Sequence, residues 1–299
     1  MGSGKKTMTK NKEKQKHNLN ETNIKKEKQT MNKAIDTIIE LCCREPEKKA
    51  TKEFFCQKDG TINKKTFGAG TFFTVEEKPV SNLDDLSNVL TSIMTAHDKF
   101  IIRGKPKCNG KDIVKRRMHE PEAAFDPAPR QYVGLDIDKQ ECPPHLDPVK
   151  DPDGVARWIK ELLPEPFRTA SFWYKFSSSQ SVPKKIGDKA DSVISIHLWF
   201  WCDRKISDGE WKRYFRANPA PVDLALFSPV QIHYTANPLF HGMDDPLPQR
   251  SGIIRGEHDF VTLPTTPEEV KRKPIERVDT VPNVDQDSRD KAIEMFLPY

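Results

Sequence analysis

Residues 131–139 read QYVGLDIDK, a run in which two carboxylates alternate with large apolar side chains. A period of two is the signature of a β-strand, so Leu135 and Ile137 belong to one face and Asp136 and Asp138 to the other. With Tyr132 and Val133 ahead of them, the apolar positions predict a central strand packed on a core. Two like charges on one face repel. For an arbitrary Asp-x-Asp the simplest account is an exposed, solvated strand face. Beside an apolar core, however, unpaired carboxylates are costly unless a cation neutralises them. Paired aspartates at this spacing suit divalent ions that handle phosphate oxygens.

A second apolar strand is expected at SVISIHLWFW, residues 192–201, where Ser195 and His197 share a face. A single histidine in a strand is ordinarily a packed residue. Here the preceding loop, KFSSSQSVPKK, adds Ser177, Ser178, Ser179, Lys184 and Lys185, and hydroxyls, lysines and a histidine together suit a triphosphate. Asp223, in PAPVDLALF, is either a helix cap or a third acidic ligand, and taken alone the cap is the simpler reading. The aromatics Trp199, Phe200 and Trp201 read as fillers of strand positions. Cys142 and His145, in CPPH, have half of a zinc spacing, and a turn with an incidental thiol accounts for them.

The rest of the pattern predicts an α+β fold. Helices are expected over KAIDTIIELCC, where Ile35, Ile38, Ile39 and Cys42 fall on one helical face, and over residues 82–97, where Leu83, Leu86, Leu90, Ile93 and Met94 form the stripe and Asn82 or Asp84 starts it. KFIIRG reads as a strand ending on glycine, followed by a long Lys-, Arg- and Pro-rich connection to Arg130. After QYVGLDIDK come a helix at PDGVARWIKELLP, a strand at TASFWYKFSSS, the histidine strand, and a helix at SDGEWKRYFRA. Such an order predicts a mixed sheet covered by helices.

Charge is distributed unevenly. Residues 1–33 hold ten lysines against three glutamates, a formal +7, which leaves the remainder of a +5 chain at −2. A lysine-rich tail with few apolar residues is expected to be disordered, as a solubilising extension or a tether to phosphate backbones. The expected organisation is this tail, a catalytic domain over 34–265, and a linker with the start of a helix over 266–299, open to a further domain after it. Six cysteines without a CxxC pair point to a reducing compartment, and no apolar run approaches the roughly 20 residues that cross a bilayer, so a soluble cytoplasmic protein is expected.

In their order and separations, LDID, SIH and VD resemble the three motifs of the archaeo-eukaryotic primase superfamily. VDLALFSPVQIHYTANP and RSGIIRG are further similar to primase-polymerases of phages, plasmids and integrated elements. The resemblance covers roughly residues 95–265. It implies an RRM-like catalytic core with an N-terminal α/β module, and template-directed nucleotide transfer by a two-metal-ion mechanism. Asp136, Asp138 and Asp223 would bind two Mg2+ or Mn2+ ions, and Ser195 and His197, with the serines and Lys185, would contact a nucleoside triphosphate. Expected partners are single-stranded DNA template and primer-template DNA, with Arg103, Arg116, Arg117 and Arg255 as candidate contacts, and a helicase domain after residue 299. No zinc module is evident, which leaves de novo priming less supported than extension. Two rivals stand beside this expectation. A rolling-circle initiator nickase would need a histidine pair and a nucleophilic tyrosine, whereas His197 stands without an HxH partner and Tyr234 without a companion. A non-catalytic RRM-like nucleic-acid-binding module would use Trp199, Phe200 and Trp201 but leave the aspartates unexplained.

Overall fold

The computed structural model describes residues 36–108, 110, 112–119, 121 and 123–264; the basic tail over 1–33 and the linker and helix start expected over 266–299 lie outside them. In chain order the elements are β1 (Asp36–Cys43), β2 (Glu53–Cys56), β3 (Ile62–Lys65), β4 (Phe72–Val80), α1 (Leu83–Ile93) and β5 (Lys99–Ile102). The long connection contributes β6 (Lys105–Pro106), β7 (Val114–Lys115) and β8 (Phe125–Asp126). There follow β9 (Arg130–Glu141), α2 (Pro152–Glu161), α3 (Glu165–Arg168), β10 (Phe172–Phe176), β11 (Val193–Ile206), α4 (Asp208–Ala217), a 3-10 turn (Leu224–Leu226), β12 (Leu239–His241) and β13 (Ser251–Ile254).

The class is α+β, and its two four-stranded sheets are antiparallel rather than mixed. One four-stranded sheet has the order β5-β1-β4-β7 and a second β13-β10-β11-β9. A smaller sheet, β12-β2-β3, contains the one parallel pair among the described strands, β12 with β2.

One expected helix is a strand. Residues 36–43 form β1, bonded to β4 on one side and β5 on the other. Its two faces are both covered: Ile39, Leu41 and Cys43 join Phe73, Phe100 and Phe125 in one cluster, while Ile38 joins α1 and the tryptophans in another. A run buried on both sides has no polar alternation, so its spacing mimics a helix, and the consecutive β-branched residues Thr37, Ile38 and Ile39 favour the strand. By contrast α1 starts where its cap predicts, with Asn82 Oδ1 accepting from Asp85 N at 2.8 Å and Leu83, Leu86, Leu90 and Ile93 buried. Helix α4 is likewise capped by Ser207.

The second sheet places the site. Its order makes β9–α2–β10 a split unit with β11 between the two strands. One face carries Leu135, Ile196, Leu198 and Phe200, with Phe200 against Phe167 and Phe172 at centroid distances of 5.0 and 5.5 Å. The other face is divided. Tyr132, Trp173, Trp199 and Trp201 are buried beneath α1 and β1, while Lys175, His197 and Asp136 continue the same face outward. The indole of Trp199 lies flat over Gly134, where any Cβ would stand 3.0 Å from the ring. Strand β9 is at the sheet edge rather than in its centre, and its outer side is covered by other means. The Tyr132 carbonyl accepts from Arg103 Nη1 at 2.7 Å and the Asp136 carbonyl from Asp223 N at 3.0 Å.

Arginines join the two four-stranded sheets. Arg103, 1% exposed at the end of β5, pairs with Asp208 at 2.6 Å. Arg130 pairs with buried Asp36 at 3.2 Å and donates to the carbonyls of Arg103, Thr37 and Gly104. Removing one partner of a buried pair leaves an uncompensated charge. Asp208→Ala is therefore expected to lower unfolding free energy by about 3–5 kcal/mol in urea titrations, against less than about 1 kcal/mol for removal of the exposed Lys150–Asp147 pair.

Candidate functional site

Four segments far apart in sequence converge on a cleft of about 700 Å³ beyond the tryptophan end of the second sheet. Asp136 and Asp138 of β9, Ser195 and His197 of β11, Ser177, Ser178 and Ser179 after β10, and Asp223 before the 3-10 turn all line it. Lys185 does not: it is exposed, in a segment bridged to Thr61.

Register explains the alignment. His197 is opposite Asp136 on β9 and Lys175 on β10, and Lys175 is opposite Ser251 on β13, so one row crosses all four strands. His197 Nε2 stands 3.1 Å from Asp136 Oδ1 but off the hydrogen-bond direction, which leaves that buried oxygen without an aligned donor. Burial pushes the Asp136 carboxyl up, but His197, with lesser help from His233 and Lys52, outweighs it and holds the group below the usual carboxylate range. Beyond the regular Ile137–Ile196 pair the ladder slips: Asp138 and Lys139 together oppose Ser195, Lys139 has φ 52°, and its amide donates to Ser195 Oγ at 3.1 Å. The bulge turns the end of β9 at the cleft, a common place for such irregularity.

Asp223 is the cap that its sequence context allowed. Its Oδ1 accepts from Ala225 N at 2.8 Å, and its backbone amide donates to the Asp136 carbonyl at 3.0 Å, which ties this segment to β9 at the cleft. Among the described residues no three metal-ligating side chains are grouped closely enough to form a preformed cage. A magnesium ion handling phosphates commonly takes one or two carboxylates and completes its shell with water and substrate oxygens. Asp136 with its undirected buried oxygen, and Asp138 two residues on, fit that demand.

The opposite wall is basic and hydroxylic. Lys52 and Lys64 enter from the small sheet, and Lys52 Nζ donates to Ser179 Oγ at 3.0 Å. Gln180, 5% exposed, ties the serine loop to β11 by accepting from Ser195 N at 2.9 Å and donating to Val193 O at 3.1 Å. Arg250 holds the same loop through the Ser177 carbonyl at 2.9 Å. Lys175 is 3% exposed, and desolvation pushes its amine down to about 7. These lysines and Gln180 were not among the sequence candidates. Lys175 carried a signal, a charge inside the aromatic strand FWYKF; Lys52 sits in a run of surface-like lysines and carried none.

The four arginines are not brought to the cleft floor. Arg103 is committed to the joint between the sheets, its guanidinium donating to Asp208, Tyr132 O and Ile206 O, and is closed to a template. Half-buried Arg116 donates to Val230 O, and its charge reaches the hydroxyl of Tyr234 at the cleft rim. Arg117 is exposed outside the lining, and Arg255 pairs with Asp84 and Asp259 beside a separate, smaller hollow. Trp199 and Trp201 are buried, so neither offers a ring to a base.

Comparison with protein-family models, with curated proteins and with solved structures finds no match to this chain. Among the described residues no helix is long and apolar enough to cross a membrane.

The depressed Lys175 amine has a thermodynamic consequence. Between about pH 7 and the ordinary lysine value of 10.5, the unfolded chain holds a proton there that the folded chain does not. Stability from this group therefore rises with pH across that window and is lowest below it. Lys175→Met should remove the cost, giving a variant more stable than wild type at pH 6 and converging on it toward pH 10, measured as the difference between their urea midpoints.

Proposed function

We propose that this chain is a template-directed nucleotidyltransferase, a primase-polymerase of the archaeo-eukaryotic type acting on single-stranded DNA. The observation that carries the proposal is the convergence of LDID, SIH and VD: Asp136, Asp138, Ser195, His197 and Asp223 line one cleft although the motifs span nearly 90 residues. The chain order β9–α2–β10–β11–α4–β13 follows the βαββαβ succession of an RRM-like core, while the sheet order β13-β10-β11-β9 differs from that core in placing the first strand, β9, at the edge.

Asp136 and Asp138, with Asp223 beside them, are the residues that would hold Mg2+ or Mn2+, which when bound lowers the charge of a triphosphate and activates the attacking 3′ hydroxyl. The chain's own contribution is positioning. His197 stands between the carboxylates and Lys175, where its imidazole meets phosphate oxygens and keeps Asp136 ionised. Ser177, Ser178, Ser179 and Ser195 offer hydroxyls, and the bond that Gln180 accepts from Ser195 N and the one that Arg250 donates to Ser177 O hold their backbone in place before substrate arrives. Lys64, on the rim, replaces Arg103 as the first candidate for a template phosphate.

The test is incubation with single-stranded DNA, labelled nucleotides and Mg2+ or Mn2+, with and without a primer. Asp136→Ala/Asp138→Ala is expected to abolish incorporation while the circular dichroism spectrum stays unchanged, and wild-type incorporation by that variant would sink the proposal. His197→Ala should reduce kcat/KM for the nucleotide by about 100-fold or more, as loss of one preorganised phosphate contact does. Cys202→Ser, on the same strand but fully buried behind the arginine joint, should leave it within about twofold at a temperature where both are folded.

A further inference from the structure

The row of side chains across the second sheet has a direction and a length. Asp136 lies at one end, His197 one strand further, and Lys175 one strand beyond that. Neighbouring strands are about 4.8 Å apart, so the backbones of Asp136 and Lys175 are separated by about 10 Å, a span that a chain of linked phosphates can follow.

Lys175 is also a lysine without an anion. Its Nζ has one hydrogen bond, to the carbonyl of Phe176 at 3.3 Å. The nearest acidic charge, Asp245, is already engaged by Arg250, whose Nε and Nη2 donate to its two oxygens at 2.6 and 2.7 Å. The other charged or titratable groups facing it are Lys52 from the loop before β2, Arg250 itself, and His197 on β11. A buried ammonium among cations is costly unless something negative arrives. It faces the cleft, and Lys52 with its Ser179 contact lies alongside.

We infer that the cleft binds a polyphosphate chain laid across the strands, with its inner phosphate at the Asp136–Asp138 end and its terminal phosphate on the buried amine of Lys175, flanked by Lys52. The proposal rests on the reading of the cleft as a nucleotide site, and adds which way the substrate lies and which side chain selects di- and triphosphates over monophosphates. Because burial holds the Lys175 amine near neutrality, binding at pH 8 draws a proton from solvent onto it. The bound anion then keeps that proton in place.

The experiment uses the full chain with Mg2+ present throughout and inorganic tripolyphosphate, with orthophosphate as comparison, titrated calorimetrically at pH 8 in two buffers of different protonation enthalpy. Wild type is expected to bind tripolyphosphate at least tenfold more tightly than orthophosphate, with net proton uptake. Lys175→Met and Lys175→Gln are expected to lose about 10- to 100-fold in tripolyphosphate affinity, the scale of one charge-assisted contact, and to lose the proton uptake. Neither should bind orthophosphate differently from wild type by more than about threefold. Equal wild-type affinity for the two anions overturns the proposal without any variant, and so does unchanged tripolyphosphate binding in whichever variant folds. Lys175-dependent tripolyphosphate binding in a protein that incorporates no nucleotide would keep this inference and remove the polymerase; incorporation with binding indifferent to Lys175 would do the reverse.

Discussion

The register between β9 and β11 is the constraint on which the cleft depends. A slip of β9 by one residue would carry Asp136 and Asp138 to the opposite, apolar face, away from His197 and Lys175. What holds it is packing at the other end of the same face, where Trp199 lies over Gly134 and is buried with Trp173, Trp201 and Tyr132 under α1. Large side chains that fit in one alignment fix the small polar ones several residues away. The apolar half of the face thus supplies the precision that the polar half uses.

The second wall of the cleft comes from elsewhere in the chain, and buried charges hold it there. Arg103 reaches from the end of β5 to the β9 sheet, and Arg130 from the start of β9 back to β1, each satisfied by one carboxylate and several carbonyls. Guanidinium suits this place because its planar donors can serve several acceptors at once. Thr51 extends the link at the cleft itself, donating to Asn237 O at 2.8 Å beside the serine loop. The basic residues that follow, Lys52 and Lys64, are thereby placed opposite the aspartates.

Charge in the cleft is separated rather than neutralised. Carboxylates gather along β9 and the 3-10 turn, and amines along β10 and the small sheet, with His197 between them. Direct pairing of the two groups would have made a stable but chemically closed site. Instead Asp136 keeps a buried oxygen without an aligned donor, and Lys175 keeps an amine with a single carbonyl partner. Both are groups a ligand could complete, the first by a cation and the second by an anion.

Local chemistry determined a good part of this in advance. Asn82 and Ser207 announce their helices through capping geometry that needs only neighbours in sequence, and the alternation in LDID and SIH reveals both the strands and the shared faces of their polar residues. Asp223 was legible as a cap for the same reason. Residues 36–43 were not, because a strand buried on both faces loses the period-two contrast that distinguishes it from a helix. The destination of each charged side chain was decided by tertiary structure alone. Arg103 looked like a surface cation and is the core of a joint between sheets; Lys52 looked like one more surface lysine and lines the cleft. Periodicity tells which face a side chain occupies, but what lies against that face depends on long-range packing, and that packing is what separates a solvated charge from a buried one.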